Sequence, residues 1–442
     1  MELRVIRTAT LRLLPYLGLL YVVAYIDRSS VGFAKLTLQD DLGLSDTAFF
    51  MGAGAFFIAY AIFEVPSNLI LERVGASRWF ARIMLTWGLI TILTAFVWNE
   101  QSFYALRFLL GAAEAGFYPG VIYFLTKWFP VRHRAKIFGY FIFANPISFA
   151  IGNPLLGWLS GLDGTYGLAG WQWIFIITGV PAVLLAVVTW FYLPDTPAHA
   201  KWLTQPQRDW ITTELELEND ANPDKHNPMS SLVSGKVWLC IAQFLMMIIA
   251  AYGLSYWLPT IVKEFGVSDT TTGFLTAIPY ICAAAALFFL PRHADKKKEY
   301  WLHISVPMVI AGISMATSLF VEAPSIRLAL MSIAAAGFLA PIPIFWAVTS
   351  RLFTGVTAAA ALAMINSIGN LGGWLGPLGI GVVVDSTGST TTGLWVIVIA
   401  TFLGAILVLP VRHIVNKHES QAAPVKHASV ASPAQAESTE PV

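Results

Sequence analysis

Long apolar runs recur along the chain at 11–36, 47–71, 79–98, 102–126, 135–161, 172–193, 232–262, 271–290, 301–320, 326–350, 356–384 and 391–411, with short polar segments between them. A helix needs about 20 apolar residues to cross the roughly 30 Å hydrocarbon core of a bilayer. None of the runs alternates apolar and polar residues as a barrel strand would. Helices are then the backbone form that satisfies its own polar groups in lipid. The pattern predicts an all-α membrane protein with twelve transmembrane helices. An even number of crossings puts both termini on one side.

The polar stretch at 194–231 divides these runs into two sets of six. The predicted organisation is an N-terminal six-helix bundle at 1–193, a central loop at 194–231, a C-terminal six-helix bundle at 232–415 and a disordered tail at 416–442. Within the central loop, TQPQRDWITTELELE reads as a short surface helix with Pro206 near its first turn. The tail is rich in Ala, Ser, Pro and Glu and cannot bury a core. An internal repeat supports the division. Glu72 in LERVG and Asp295 in RHADKKK lie 223 positions apart (295 − 72), and Pro154 in GNPLLG and Pro377 in LGPLGIG share that offset (377 − 154). Two pseudo-symmetric bundles with a site between them are the architecture of alternating-access carriers.

Composition sharpens this reading. The chain is 56% hydrophobic and 12% charged, against roughly a quarter charged in a soluble domain. A net charge of +1 gives no bias toward nucleic acid. Of 27 Lys and Arg, all but Lys35, Lys263, Arg327 and the intrahelical Arg28 and Arg107 fall on the side of the N-terminus. Retention of basic residues in cytoplasmic loops makes that side the cytoplasm. The basic start runs into an apolar stretch too long for a signal peptide, so it is expected to remain as the first helix. Cys240 and Cys282 sit in apolar runs as packing residues, and His133, His199, His226, His293 and His413 lack ligand spacing. Neither a metal nor a cofactor is expected.

Charges inside apolar runs cost several kcal/mol and are usually paired and functional. Asp27 and Arg28 lie in the first helix; Arg107 and Glu114 lie in the fourth, seven residues apart, so they point the same way about 10.5 Å apart along the axis. Facing the bundle interior, the four make a site that releases protons and accepts an anion. The arginines stay charged and match a carboxylate, whereas the acids titrate. Folding or gating alone needs only a static ion-pair lock. Glu64 in FEVPSN, nearer the cytoplasmic end, is expected in a gate. Glu72, Arg73, Gly75 and Arg78 in ERVGASR form a candidate latch, with Asp295 as the counterpart of Glu72. Tyr25, Tyr60, Asn145, Trp346, Asn366 and Asn370 are polar or aromatic groups deep in their runs that need partners.

The segments YIDRSSVGFAKLTLQDDLGLS, EVPSNLILERVGASRW, FYALRFLLGAAEAGFYPGVIYFLTKWFP, GWQWIFIITGVPAVLL and INSIGNLGGWLGP resemble the anion:cation symporter family of the major facilitator superfamily. The resemblance covers most of residues 10–415. It implies a monomeric carrier in a bacterial plasma membrane, coupling protons to uptake of a small organic carboxylate such as tartrate, a sugar acid or an aromatic acid. By the same resemblance Asp27 and Glu114 take protons, Arg28 and Arg107 tune them or meet the substrate, and Tyr25, Tyr60, Asn145, Trp346 and Asn366 contact it. The chain departs from the family pattern at Ala76 and Ser77, where a more basic pair is common, and at Pro291, where glycine is usual. The alternative is a proton antiporter exporting a drug or metabolite, because GNPLLG resembles a fifth-helix signature of exporters.

Overall fold

The computed structural model describes residues 1–220, 234–352 and 356–422, and among them the regular structure is entirely helical. The first half comprises α1 (Glu2–Leu42), α2 (Asp46–Val74), α3 (Ala76–Thr94), α4 (Glu100–Glu114), α5 (Phe117–Thr126), α6 (Val131–Ile142), α7 (Ala144–Ser160) and α8 (Gly170–Tyr192). The central helix α9 (Gln205–Asp220) follows. The second half comprises α10 (Gly235–Lys263), α11 (Asp269–Lys297), α12 (Trp301–Ser318), α13 (Pro324–Leu339), α14 (Ile342–Thr349), α15 (Val356–Asn370), α16 (Gly372–Thr387), α17 (Thr390–Gly393) and α18 (Trp395–Ala422).

Eleven helical stretches among the described residues are long and apolar enough to cross a membrane, with α4–α5, α6–α7, α13–α14, α15–α16 and α17–α18 each forming one crossing. The twelfth crossing is α3, whose 19 residues include Arg78 and Arg82 near its start. The fourth and fifth crossings are broken in both halves, and the sixth is broken in the second half alone, between α17 and α18. That shared discontinuity is a second trace of duplication beside the 223-residue offset. The first helix is longer than its apolar run, because the basic residues at the start of the chain continue it as helix. Similarly, α18 continues to Ala422, so helix replaces the start of the expected tail. The remainder of that tail and part of the central loop lie outside the described residues. Cys240 is buried as expected, but Cys282 on α11 is exposed.

Successive crossings alternate, which puts the α2–α3 turn and α9 at one end of the bundle, the basal end, and the α1–α2 turn at the other, the distal end. At the basal end α9 is clamped onto the first half. Arg132 Nη1 lies 2.6 Å from Glu214, Arg134 lies 3.3 Å from Glu218, and the Val131 amide donates to Glu218. At the distal end the halves touch each other. The Asp385 carboxylate of α16 accepts from the Asp46 and Thr47 amides at 3.1 and 2.8 Å, capping the α2 N-terminus from the opposite half. Backbones of α7 and α11 meet at Gly157 and Gly273, where a Cβ on Gly157 would stand 2.6 Å from the Gly273 Cα. Beside them the Asn153 amide donates to the Thr276 carbonyl at 3.2 Å. The glycine and asparagine of the GNPLLG segment therefore serve a tight contact between halves.

Candidate functional site

Asp27 and Arg28 are consecutive on a helix, so their side chains diverge by about 100° and meet different neighbours. Arg28 turns toward α4. Its Nε and Nη2 both donate to Glu114 Oε1, at 2.8 and 2.5 Å. Its guanidinium also lies over three rings, 5.2 Å from the centroid of Tyr25, 5.3 Å from Phe56 and 5.2 Å from Tyr60. The hydroxyl of Tyr252, from α10 in the other half, belongs to the same electrostatic neighbourhood.

Asp27 turns instead toward α3 and α8, where it is buried. Trp87 Nε1 donates to its Oδ2 at 2.9 Å. Thr178 Oγ1 lies 3.4 Å from its Oδ1 while donating to the Ile174 carbonyl. The carboxylate is thus held by neutral groups.

Arg107 is 1% exposed and forms neither an ion pair nor a hydrogen bond among the described residues. Its guanidinium sits 5.2 Å from the centroid of Phe56, so one phenyl ring lies beside both arginines. Its position follows from the packing of α4 on α2: a Cβ on Gly111 would fall 2.1 Å from the Phe56 carbonyl oxygen, so only a bare backbone admits this approach. Asp27, Glu114 and Arg28 all act on Arg107 electrostatically without pairing with it. Glu114 Oε2 likewise has no hydrogen-bond partner among the described residues. Glu114 is the last residue of α4, where the fourth crossing breaks. The two arginines therefore flank Phe56, Glu114 is held by one of them, and Asp27 reaches Arg107 by field alone.

The other predicted positions are distributed around this cluster. Tyr25 packs edge-on against Tyr21 at 4.7 Å and Phe149 at 6.0 Å. Toward the basal end, Glu64 bridges the halves. Ser367 Oγ donates to its Oε2 at 2.9 Å and Asn366 Nδ2 to its Oε1 at 3.4 Å, while Asn370 Nδ2 donates to Asn366 Oδ1 at 3.0 Å. Asn366 and Asn370 are thereby engaged with Glu64. Asn145 on α7 is half-buried, with no side-chain hydrogen bond among the described residues. Trp346 on α14 packs in the second-half core, 4.9 Å from Phe244 and 5.5 Å from Phe345.

The latch residues sit at the basal end, and among the described residues none bridges the halves. Glu72 accepts from the Tyr123 hydroxyl at 3.2 Å, within its own half. Arg73, Arg78 and Asp295 are exposed. Gly75 has φ 95°, and a Cβ there would stand 2.9 Å from the Asp195 carboxylate. That carboxylate accepts from the Ser77 amide at 2.7 Å, and Ser77 Oγ donates to the Trp190 carbonyl. Ser77, a departure from the more basic pattern, thus ties the start of α3 to the end of α8.

A family model described as Major Facilitator Superfamily matches residues 17–377. The chain belongs to the Major Facilitator Superfamily. Its relatives include a quinolone resistance transporter of Acinetobacter baumannii, 46% identical with 92% of this chain and 94% of that one covered. A putative tartrate transporter of Agrobacterium vitis is 42% identical, with 97% and 99% covered. Among solved structures, a D-xylose-proton symporter superposes with a TM-score of 0.70 at 15% identity, covering 90% of this chain and 96% of that one, which speaks for the fold. This member of the superfamily is a multi-pass membrane transporter of small substrates and not an enzyme. Its central charges lie beside the junction of the two halves, as repeat-built carriers require.

Several contributors escaped sequence reasoning. Phe56, Trp87 and Tyr252 are aromatic residues in apolar runs, where nothing contrasts with their surroundings. Ser367 follows Asn366 directly, and Asp385 is the acid in GVVVDSTG; both were visible as polar residues in or beside a crossing.

Proposed function

We propose that this transporter couples protons to uptake of a small organic carboxylate by alternating access, as a monomer in a bacterial inner membrane with both termini in the cytoplasm. The observation that carries the reading is Arg107, a buried guanidinium with no counter-ion in contact among the described residues. An uncompensated cation in a low-dielectric site costs several kcal/mol, and a bound carboxylate removes that cost with bidentate geometry. With Asp27 and Glu114 both ionised, the four central charges cancel. Protonating either acid leaves one positive charge in excess, so proton and anion bind better together than apart. Arg28 relays the effect of Glu114, since a protonated Glu114 would release the guanidinium it now holds. The Lys and Arg distribution along the chain supports the orientation.

Purified protein in proteoliposomes is expected to accumulate a labelled acid from a panel that includes tartrate, sugar acids and aromatic acids when the outside is acidified. Asp27→Asn and Glu114→Gln should each sharply lower pH-driven accumulation. Full pH-driven uptake in both variants sinks the assignment.

A second reading, proton-coupled export, is favoured by the similarity to the quinolone resistance transporter. Quinolones themselves carry a ring carboxylate, so Arg107 suits either cargo. The direction of labelled substrate movement in energised whole cells separates the two.

A further inference from the structure

The buried tyrosines of α10 hold an unassigned piece of the site. Tyr256 is 2% exposed, and its hydroxyl has no hydrogen-bond partner among the described residues. A buried hydroxyl without a partner carries a desolvation penalty that a ligand would relieve. The rest of the side chain is fully accounted for. Its ring stacks on Phe50 of α2, with centroids 6.5 Å apart and planes 16° from parallel. Its backbone lies so close to α1 that a Cβ on Gly32 would stand 3.0 Å from the Tyr256 carbonyl oxygen. The first half therefore grips the aromatic body and the main chain, leaving only the hydroxyl uncommitted. Of the polar groups that act on that hydroxyl, Arg107 is foremost, with Tyr252, Arg28 and Glu114 behind it.

We infer that Tyr256 is the second anchor of the substrate carboxylate, with its hydroxyl and the Arg107 guanidinium holding one carboxylate group between the two halves. The inference rests on the proposed anion transport and adds a residue, a geometry and a selectivity to it. Arg107 Nε and the Tyr256 hydroxyl are both buried donors without partners, and a carboxylate offers two acceptor oxygens to meet them. Because Arg107 belongs to the first half and Tyr256 to the second, the bound group ties the halves together at the level where they already touch. Arg28 is held by Glu114, so while that pair stands Arg107 is the one unpaired cation of the site among the described residues, and the site takes one carboxylate. An uncharged amide of the same shape brings no charge to Arg107 and one acceptor oxygen where a carboxylate brings two, so its binding is disfavoured.

The test is binding to the full-length protein in detergent, by thermal shift and isothermal titration, with benzoate, nicotinate, gluconate and tartrate as probes and benzamide and nicotinamide as uncharged counterparts. Wild-type protein is expected to bind at least one acid and to prefer benzoate or nicotinate over its amide. Tyr256→Phe retains the ring and its stacking on Phe50 and removes only the unpartnered hydroxyl, so its ligand-free melting temperature should equal or exceed that of wild type. Its affinity for the acid should fall about tenfold and by more than its affinity for the amide, because a hydroxyl bond to a charged oxygen is the stronger one. Arg107→Lys supplies a second route to the same answer: if hydroxyl and guanidinium share one carboxylate, adding Tyr256→Phe to it costs clearly less than in wild type. Undiminished affinity and preference in Tyr256→Phe overturn the anchor and leave the anion-carrier reading standing. Failure of wild type to bind any acid overturns both.

Discussion

At the residue scale, the central question is which charges are committed and which are free. Arg28 and Glu114 form a buried pair, with side chains 13% and 0% exposed. Removing one partner strands the other, so Glu114→Ala is expected to destabilise the fold by about 3–5 kcal/mol, whereas an apolar replacement of both costs far less. Chemical unfolding of the single and double variants in detergent checks this; equal losses would mean that the pair contributes nothing through its charge. Trp87 gives a subtler prediction. Its indole N–H is the hydrogen bond that Asp27 accepts at 2.9 Å, and it favours the ionised carboxylate over the neutral acid. Trp87→Phe should therefore move the pH profile of uptake toward alkaline values, because the variant takes its proton at lower proton concentration. A profile that keeps its midpoint while its maximum falls would make Trp87 a packing residue only. Asp27, Arg28, Arg107 and Glu114 were legible in the sequence because a charge in an apolar run has no ordinary explanation. Trp87 and Tyr256 were not, since an aromatic residue in the same run is unremarkable until its polar atom is seen to face a carboxylate or to lack a partner.

At the element scale, the twelve crossings were readable because each must hold about 20 apolar residues whatever its neighbours are. The breaks at Ala115–Gly116, at Phe143, at Ala340–Pro341 and at Leu371 were not. They depend on packing rather than on composition: a break needs neighbouring helices to satisfy the freed backbone groups. The distal contact between halves follows the same logic. Gly157 and Gly273 look like ordinary helix glycines in the sequence, yet between them the backbones of α7 and α11 leave no room for a side chain. Gly157→Leu is expected to wedge the distal end apart. Asp385→Ala, which removes the cap from the α2 N-terminus, should weaken the same closure by about 1 kcal/mol. A cysteine placed at Phe57, with Cys240 and Cys282 replaced by Ser, reports the result: labelling from the distal side should rise strongly in Gly157→Leu and modestly in Asp385→Ala. Equal labelling in all three backgrounds would mean that these contacts do not gate access.

At the scale of the whole molecule, the charge balance of the site links to the membrane. The halves close on each other distally through Asp385, Asn153 and the glycine pair, and are joined toward the basal end by Glu64 with Ser367 and Asn366. A substrate between those levels changes sides only when one set of contacts exchanges for the other. If two protons enter with a monocarboxylate, one on Asp27 and one on Glu114, each cycle moves one positive charge inward. That charge gains about 2.3 kcal/mol per 100 mV, roughly a 50-fold change in the accumulation ratio. A potassium diffusion potential set with valinomycin, negative inside, should therefore drive accumulation at equal pH on both sides. Asp27→Asn removes one of the two protons, so whatever movement of acid it retains should ignore the potential while still following the pH and substrate gradients. The two outcomes together distinguish a site that counts protons on separate carboxylates from one in which the Arg28–Glu114 pair does all the coupling. In the latter case wild type and Asp27→Asn would respond to voltage alike, and the burial of Asp27 against Trp87 would have to be explained by packing alone.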